Sequence, residues 1–147
     1  MHSAMRGAHT ERARSCRWRR QCAGSRQASV SSMSPSIVFR DGKVMITGTP
    51  GGSRIITTVL QVILNVIDHR MNIAEAVAAP RIHHQWLPDR VSAEQGLSPD
   101  TIRLLEAKGH KVEVGATTGS ANSILVTPEG RTGATDPRRL GTLAEGH

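Results

Sequence analysis

Two adjacent glycines, Gly51 and Gly52, stand where a strand-like segment gives way to a helix-like segment. A helix N-terminus has unpaired backbone N–H donors and a partial positive charge. Because glycine has no side chain, a carboxylate, a phosphate or a developing oxyanion could reach those donors directly. The same pair would also suit a turn that needs positive φ angles. The residues alone therefore leave two interpretations open, an anion-binding corner and a plain turn.

A second polar cluster lies before the first predicted strand, where Ser31 and Ser32 are adjacent and Ser34 follows closely. Serine hydroxyls are compact hydrogen-bond donors and could hold the carboxylate of a substrate. Serines are also common in ordinary loops. Both interpretations of this cluster stay open at the level of the residues.

The sequence offers little support for metal or cofactor chemistry. His83 and His84 are adjacent in a predicted strand, so their side chains should point to opposite faces and should not share a metal ion. The two cysteines, Cys16 and Cys22, have a spacing that matches no strong metal or redox motif. We therefore expect no metal site and no cofactor.

The excess of positive charge is concentrated near the N-terminus. The net charge is +7, and residues 1–29 contain seven arginines and one glutamate, whereas residues 30–147 contain 12 basic and 11 acidic residues. Residues 1–29 lack apolar periodicity and have Trp18 as their one aromatic residue, so we predict a disordered tail without specific nucleic-acid binding. No apolar run suits a membrane span or a signal peptide, which leaves the compartment open.

Residues 30–147 alternate predicted strands and helices. Asp41-Gly42 between two short apolar runs predicts a β-hairpin. Asn72 followed by Glu75 predicts a capping box, and Ser98-Pro99 predicts a second helix start with Ser98 as the N-cap. The predicted strands are 36–40, 43–47, 81–84, 90–94, 111–114, 123–127 and 131–134, and the predicted helices are 54–69, 72–79 and 98–108. This order indicates a mixed α/β fold, layered in the α+β manner.

Three further expectations follow from local patterns. The helix predicted at 54–69 is apolar on nearly every side, which favours a buried position. Gly109 should end the helix that begins near Ser98. Asp136-Pro137 is interpreted as a turn.

Four segments, in this order, resemble the C-terminal part of the γ-glutamyltransferases, also called glutathione hydrolases. They are SSMSPSIVFRDGK, GTPGGSRIITTVLQVILNVID, MNIAEAVAAPRIHHQWLPD and GATDPRR. The resemblance covers residues 30–147, whereas the Arg-rich residues 1–29 are not similar to the family.

The resemblance implies a fold, a reaction and roles for four residues. The family has the αββα sandwich of the N-terminal-nucleophile hydrolases, of which this chain would form an incomplete part. A precursor cleaves itself into a large and a small subunit, and the new N-terminal Thr transfers a γ-glutamyl group from glutathione to water or an amino acid. By this resemblance, Ser31 and Ser32 would hold the substrate α-carboxylate, and the N–H groups of Gly51 and Gly52 would form the oxyanion hole.

The chain also departs from the family pattern. The family nucleophile lies upstream of the serine motif in a Thr-rich segment that is not found here, and Thr57-Thr58 and Thr117-Thr118 do not match it. We therefore expect a family fragment that is inactive alone and needs the large subunit and the N-terminal segment of the small subunit as partners. The alternatives are a non-catalytic protein that binds γ-glutamyl compounds or a partner, and a binding protein that acts through its basic tail. The family is typically periplasmic or extracellular.

Overall fold

The computed structural model describes residues 35–115 and 119–145. The predicted disordered tail, residues 1–29, and the candidate substrate-binding residues Ser31 and Ser32 lie outside the described residues. In chain order the elements are β1 (Ser36–Arg40), β2 (Lys43–Gly48), α1 (Arg54–Ile67), α2 (Ile73–Ala78), β3 (Ile82–His83), β4 (Val91–Glu94), α3 (Pro99–Ala107), β5 (Val112–Gly115), β6 (Asn122–Thr127) and β7 (Gly130–Thr135).

Local signals in the sequence predicted the turns and caps well. Asp41 and Gly42 have φ angles of 49° and 72°, as the tight hairpin between β1 and β2 requires. Asn72 caps α2, because its Oδ1 accepts a hydrogen bond from the Glu75 N–H at 2.9 Å and Glu75 Oε2 accepts one from the Asn72 N–H at 3.3 Å. Gly109 follows α3 with a φ of 91°, as expected for a helix-ending glycine.

Ser98 stands at the N-cap of α3 and Pro99 is its first helical residue, as predicted, although the Ser98 side chain makes no capping hydrogen bond. The predicted bounds of two elements were wrong. Helix α1 ends at Ile67 instead of His69, since the backbone of Arg70 turns into the left-handed region with a φ of 55°. Strand β3 is limited to two residues because the Arg81 N–H bonds to the Glu94 side chain instead of extending a strand ladder.

Strands from both ends of the described chain form one antiparallel sheet in the order β1-β2-β6-β7. Helices α1 and α2 pack on one of its faces. The core between the two layers is small and aliphatic, and its buried members are Met45, Val62, Ile73, Ala76, Val77, Ala121 and Ala134. A second sheet has the order β3-β4-β5, in which β4 and β5 are parallel and α3 connects them. This layered α/β arrangement confirms the predicted fold class.

The other face of the four-stranded sheet, which we call the outer face, is apolar and exposed. Ile37 pairs with Ile46, and Ile46 pairs with Ile124, so the three side chains form one row across three strands. Their exposed fractions are 58%, 37% and 46%, and Phe39 beside them is 75% exposed. An antiparallel sheet that faces water usually carries polar residues on that side. The outer face therefore has the composition of a surface that another layer covers.

Helix α1 is buried on one side only, although its sequence is apolar on nearly every side. Ile55, Thr58, Val59 and Val62 are buried. Ile56 and Leu60, on the opposite side, are 76% and 51% exposed.

No helix within residues 35–115 and 119–145 is long and apolar enough to cross a membrane.

Candidate anion-binding site at the glycine pair

The glycine pair lies in the loop between β2 and α1, as the sequence predicted. Gly51 has a φ of 140° and Gly52 a φ of 59°, and both values favour glycine over residues with a side chain. The Gly51 carbonyl accepts a hydrogen bond from the Arg54 N–H, and the Gly52 carbonyl accepts one from the Ile55 N–H, both at 3.2 Å. The loop conformation therefore requires glycine whether or not a ligand binds.

The N–H groups of the same two residues take no part in these hydrogen bonds. Neither the Gly51 N–H nor the Gly52 N–H donates a hydrogen bond to any residue in the described part of the chain. Ser53 stands at the N-cap of α1, but its hydroxyl donates to Gln85 Oε1 at 2.8 Å and does not cap the helix. The first turn of α1 also has no acidic residue. The positive end of the helix is therefore left without a negative partner on this element.

A groove of about 460 Å³ opens beside Gly52. It runs along α1, and its lining residues are Ser36, Gly52, Ser53, Ile55, Ile56, Val59, Leu60 and Ile63. The wall is mostly aliphatic, so a group bound there would sit in a medium of lower effective dielectric constant than water. Hydrogen bonds from N–H donors to an anion are stronger in such a medium.

Strand β3 holds the first half of α1 in place. The Gln61 side chain bonds to both backbone groups of Ile82, with Oε1 accepting at 2.9 Å and Nε2 donating at 2.8 Å. One turn earlier, Thr57 Oγ1 lies 2.8 Å from His83 Nδ1. These contacts fix the direction in which the N-terminus of α1 points.

The two histidines point to opposite faces, as predicted. His83 is buried and bonds to Thr57 and Gln85, whereas His84 is exposed and lies 3.3 Å from Asp89. His83 is thus part of the support for α1. In the described ranges no three potential metal-binding side chains come together.

The structure also contains a buried ionic cluster that sequence reasoning missed. It consists of Arg81, Glu94, Asp136 and Arg138. Arg81 Nη1 lies 2.7 Å from Asp136 Oδ2. Arg138 Nε lies 3.0 Å from both carboxylate oxygens of Glu94, and Arg138 Nη1 lies 3.1 Å from Asp136 Oδ1.

The ionic cluster also binds the backbone around it. Arg81 Nη2 donates to the Val77 carbonyl at 2.6 Å, and Arg138 Nη2 donates to the Ala79 carbonyl at 2.8 Å, so carbonyls at the end of α2 are satisfied. Asp136 Oδ2 accepts the Ala121 N–H at 2.8 Å. The cluster therefore joins the end of α2 to the start of β6.

Charge and burial oppose each other at Asp136. Burial raises the pKa of this carboxyl, but hydrogen bonds from the Ala121 and Arg138 N–H groups and from the Arg81 guanidinium lower it more, so its pKa lies below the usual value. Burial lowers the pKa of Arg138, and its hydrogen bonds to Glu94 and Asp136 outweigh that effect and raise it. Both groups are therefore held in their charged forms.

Asp136-Pro137 does begin a turn, as expected, because the Arg138 N–H bonds to Asp136 Oδ1 and the Arg139 N–H bonds to the Asp136 carbonyl. The available signal for the ionic cluster was a pair of charged motifs, APR and DPRR. Their partners could not be assigned from the sequence, because Arg81 and Asp136 are 55 residues apart.

Comparison with known proteins points to one family. The sequence model of the family described as Gamma-glutamyltranspeptidase matches residues 11–146, a match that begins upstream of Val30. The glutathione hydrolase proenzyme of Escherichia coli strain K12 is 56% identical over 126 residues, which are 84% of this chain and 22% of that protein. The chain thus spans less than a quarter of the length of this relative.

Solved structures agree with the sequence comparison. A mutant form of the Helicobacter pylori gamma-glutamyltranspeptidase is 48% identical, with a TM-score of 0.68 over 79% of this chain and 66% of that chain. The gamma-glutamyltranspeptidase of Pseudomonas nitroreducens, complexed with L-DON, is 41% identical, with a TM-score of 0.70 over 85% of this chain and 66% of that chain.

Proposed function

The chain belongs to the γ-glutamyltranspeptidase family, and on this premise we propose that it supplies the oxyanion-binding part of a γ-glutamyl transfer site. In this role the N–H groups of Gly51 and Gly52 donate hydrogen bonds to the γ-carbonyl oxygen of the substrate and stabilise the negative charge that develops on it. The observation that carries the proposal is that both N–H groups lack a partner in the described residues while they stand at the open N-terminus of α1.

The reaction proceeds in two steps in this proposal. The hydroxyl of an N-terminal Thr, on a segment outside residues 30–147, attacks the γ-carbonyl carbon and forms a tetrahedral oxyanion. The C–N bond then breaks, the leaving amine takes a proton, and an acyl-enzyme ester remains. Water or the amino group of an amino acid attacks this ester in the second step and regenerates the Thr hydroxyl. Each step passes through an oxyanion, so donors at Gly51 and Gly52 act twice in one turnover.

The substrate in this proposal is glutathione or another γ-glutamyl amide. The E. coli relative is a glutathione hydrolase, and the family resemblance assigns Ser31 and Ser32 to the α-carboxylate of the γ-glutamyl group. Two hydroxyl donors satisfy a carboxylate without the desolvation cost of a second buried charge. Binding at this end of the substrate would place the γ-carbonyl for attack.

The outer face of the sheet supports a role for partner segments. This chain covers 22% of the E. coli relative and 66% of the matched H. pylori chain. The row formed by Ile37, Ile46 and Ile124 is exposed, and burying such a row contributes about 25 cal/mol per Å² of apolar surface. We propose that the N-terminal segment of the small subunit and the large subunit cover this face and bring the nucleophile to the glycine pair.

A chimera tests the proposed function directly. Residues 30–147 replace the matching part of the E. coli glutathione hydrolase proenzyme, and turnover of γ-glutamyl-p-nitroanilide is measured. We expect the chimera to process itself and to release p-nitroaniline. A processed chimera that binds a γ-glutamyl inhibitor but releases no p-nitroaniline would favour the non-catalytic binding protein instead.

A matched pair of substitutions then isolates the glycine pair. Gly52 and Gly109 both have positive φ angles, of 59° and 91°, and an added Cβ would meet no atom within 4 Å at either position. Gly52→Val and Gly109→Val therefore strain the backbone in a similar way. Gly52→Val keeps the backbone N–H, but its side chain would obstruct the approach of the oxyanion to that donor. We therefore expect kcat to fall by about 10²–10³-fold in Gly52→Val, the usual cost of losing one oxyanion donor, and to stay near the parent value in Gly109→Val. Equal losses in both variants would contradict the assignment.

A further inference from the structure

Thr49 holds the loop that carries the glycine pair. Its side chain is buried, with 4% of the residue exposed. Thr49 Oγ1 donates a hydrogen bond to the Pro50 carbonyl oxygen at 2.8 Å and accepts one from the Ser120 N–H at 2.9 Å. A hydroxyl can donate and accept at the same time. One oxygen atom therefore connects the loop to the segment that leads into β6.

The segment on the far side of this contact is itself well anchored. The Ala121 N–H, next to Ser120, bonds to Asp136 Oδ2 at 2.8 Å. Gly119 leaves room for the contact, because a Cβ at that position would lie 2.9 Å from Thr49 Oγ1 and 3.0 Å from Thr58 Oγ1. Thr49 thus bonds to a segment that the buried Asp136 carboxylate also holds.

The bond to Pro50 acts on the peptide plane that contains the Gly51 N–H. The peptide between Pro50 and Gly51 is trans, and in a rigid trans peptide the C=O and the N–H point in opposite directions. When Thr49 fixes the direction of the Pro50 carbonyl, it also fixes the direction of the Gly51 N–H.

Local backbone preferences alone would not hold this plane. The plane turns about ψ of Pro50 and φ of Gly51, and glycine allows a wide range of φ. The next plane, which contains the Gly52 N–H, has a separate anchor, since the Gly51 carbonyl accepts the Arg54 N–H at 3.2 Å. The two donors therefore depend on two different contacts, and only the Gly51 donor depends on Thr49.

We propose that Thr49 is a positioning residue for γ-glutamyl transfer, whose hydroxyl keeps the Gly51 N–H directed at the site of the developing oxyanion. Without the hydroxyl, the peptide plane between Pro50 and Gly51 can turn. The Pro50 carbonyl oxygen would then face the oxyanion in place of the Gly51 N–H and would repel it. The proposal rests on the proposed function, because the direction of this N–H matters for catalysis only if the glycine pair binds the oxyanion. Thr49 acts through Gly51 and needs no contact with the substrate.

The direction of an N–H bond can be measured without any catalysis. Residual one-bond N–H dipolar couplings are recorded on the ¹⁵N-labelled, full 147-residue chain and on Thr49→Val, Thr49→Ser and Thr47→Val. Thr47 is the matched control, because it is also buried and its Oγ1 makes a hydrogen bond to Ser123 Oγ at 2.8 Å away from the glycine loop. The couplings of Gly52 and of the β2 residues serve as internal references.

We expect Thr49→Val to change the Gly51 coupling well beyond its change in Thr47→Val, while the Gly52 coupling and those of β2 stay the same. Thr49→Ser should restore the parent value because it keeps the hydroxyl. An unchanged Gly51 coupling in Thr49→Val would overturn the proposal. If Thr49→Val does not fold, Thr49→Ala removes the hydroxyl without adding volume and is judged by the same criterion.

The chimera separates this proposal from the proposed function. In the chimera we expect Thr49→Val to lower kcat by about 10²-fold with little change in KM. This is the size of loss that follows from misplacing a catalytic group by about 1 Å. Thr49→Ser should recover the parent kcat. If the Gly51 coupling changes but kcat does not, Thr49 still orients the N–H group, and it is the oxyanion role of Gly51 that fails.

Discussion

The guanidinium of Arg81 lies 2.7 Å from the carboxylate of Asp136, and both side chains are buried. Arg81 follows α2 and Asp136 follows β7, so the pair joins the helical layer to the sheet. The same carboxylate oxygen accepts the Ala121 N–H. Through Ala121 and its neighbour Ser120 the pair also supports Thr49, which holds the glycine loop. The Arg81–Asp136 pair therefore contributes both to the stability of the fold and to the geometry of the candidate site.

Removal of one charge from this pair should strongly destabilise the fold. We expect Asp136→Asn to lower the free energy of unfolding by about 3–5 kcal/mol, because the buried Arg81 charge loses its partner. Asp100→Asn is the control, since Asp100 pairs with Arg103 on the surface, where such pairs contribute about 1 kcal/mol or less. Urea unfolding followed by circular dichroism measures both. Similar losses of unfolding free energy in the two variants would show that the buried pair stabilises the fold no more than a surface pair does.

The same carboxyl should make the fold sensitive to acid. The pKa of Asp136 is lowered in the folded chain, so its stabilising contribution is complete above the unfolded-state value of about 3.9 and is lost as the pH falls through the lower folded-state value. We expect the difference in unfolding free energy between the parent chain and Asp136→Asn to be constant from pH 5 to 7 and to narrow below about pH 4. A difference that stays constant down to pH 2 would contradict this.

The 147-residue chain alone should not turn over a γ-glutamyl anilide. Donors at Gly51 and Gly52 stabilise an oxyanion only when a nucleophile forms one. Residual catalysis by binding and oxyanion donors alone is roughly 10³–10⁴-fold over water in a comparable serine protease, far below an intact enzyme. We expect the release of p-nitroaniline by the parent chain to equal that of Gly52→Val. Repeated turnover that Gly52→Val abolishes would reveal a nucleophile within these residues.

The outer face of the sheet should make the isolated chain self-associate and bind hydrophobic dyes. Ile46 stands in the middle of the row between Ile37 and Ile124. We expect Ile46→Lys to reduce dye fluorescence and the weight-average mass measured by sedimentation, because it adds a charge to an exposed apolar surface. The midpoint temperature of unfolding should not fall. Met45→Lys, one residue earlier and buried against α1 and α2, should unfold the chain. A monodisperse parent chain that binds no dye would contradict the prediction.

The two predicted helix caps should differ in their contribution to stability. Asn72 makes both bonds of a capping box with Glu75, so Asn72→Ala should lower the free energy of unfolding by about 1 kcal/mol. The Ser98 side chain makes no capping bond, so Ser98→Ala should have almost no effect. Thermal unfolding of the two variants in parallel measures the difference, and equal effects would mean that the side-chain bonds at Asn72 do not stabilise α2.

The sequence by itself determined most of the local structure. The hairpin at Asp41-Gly42, the cap at Asn72 and the glycines between β2 and α1 depend on neighbours within a few residues, and those neighbours are visible in the sequence. Apolar alternation likewise predicted strands such as Ser36–Arg40 within a residue of their ends. The order of the motifs was sufficient for the family resemblance, which the comparisons confirmed. The oxyanion role of Gly51 and Gly52 and the substrate-binding role of Ser31 and Ser32 stay predictions.

Only the tertiary structure decided which distant groups meet. Arg81 and Asp136 are 55 residues apart, and Thr49 and Ser120 are 71 apart, so no local pattern links them. The burial of α1 on one side only was decided in the same way, since an apolar sequence does not say which of its sides the sheet will cover. The physical reason is that turns and caps depend on short-range interactions along the chain, whereas the partner of a buried charge or hydroxyl depends on how the sheet and the helices pack.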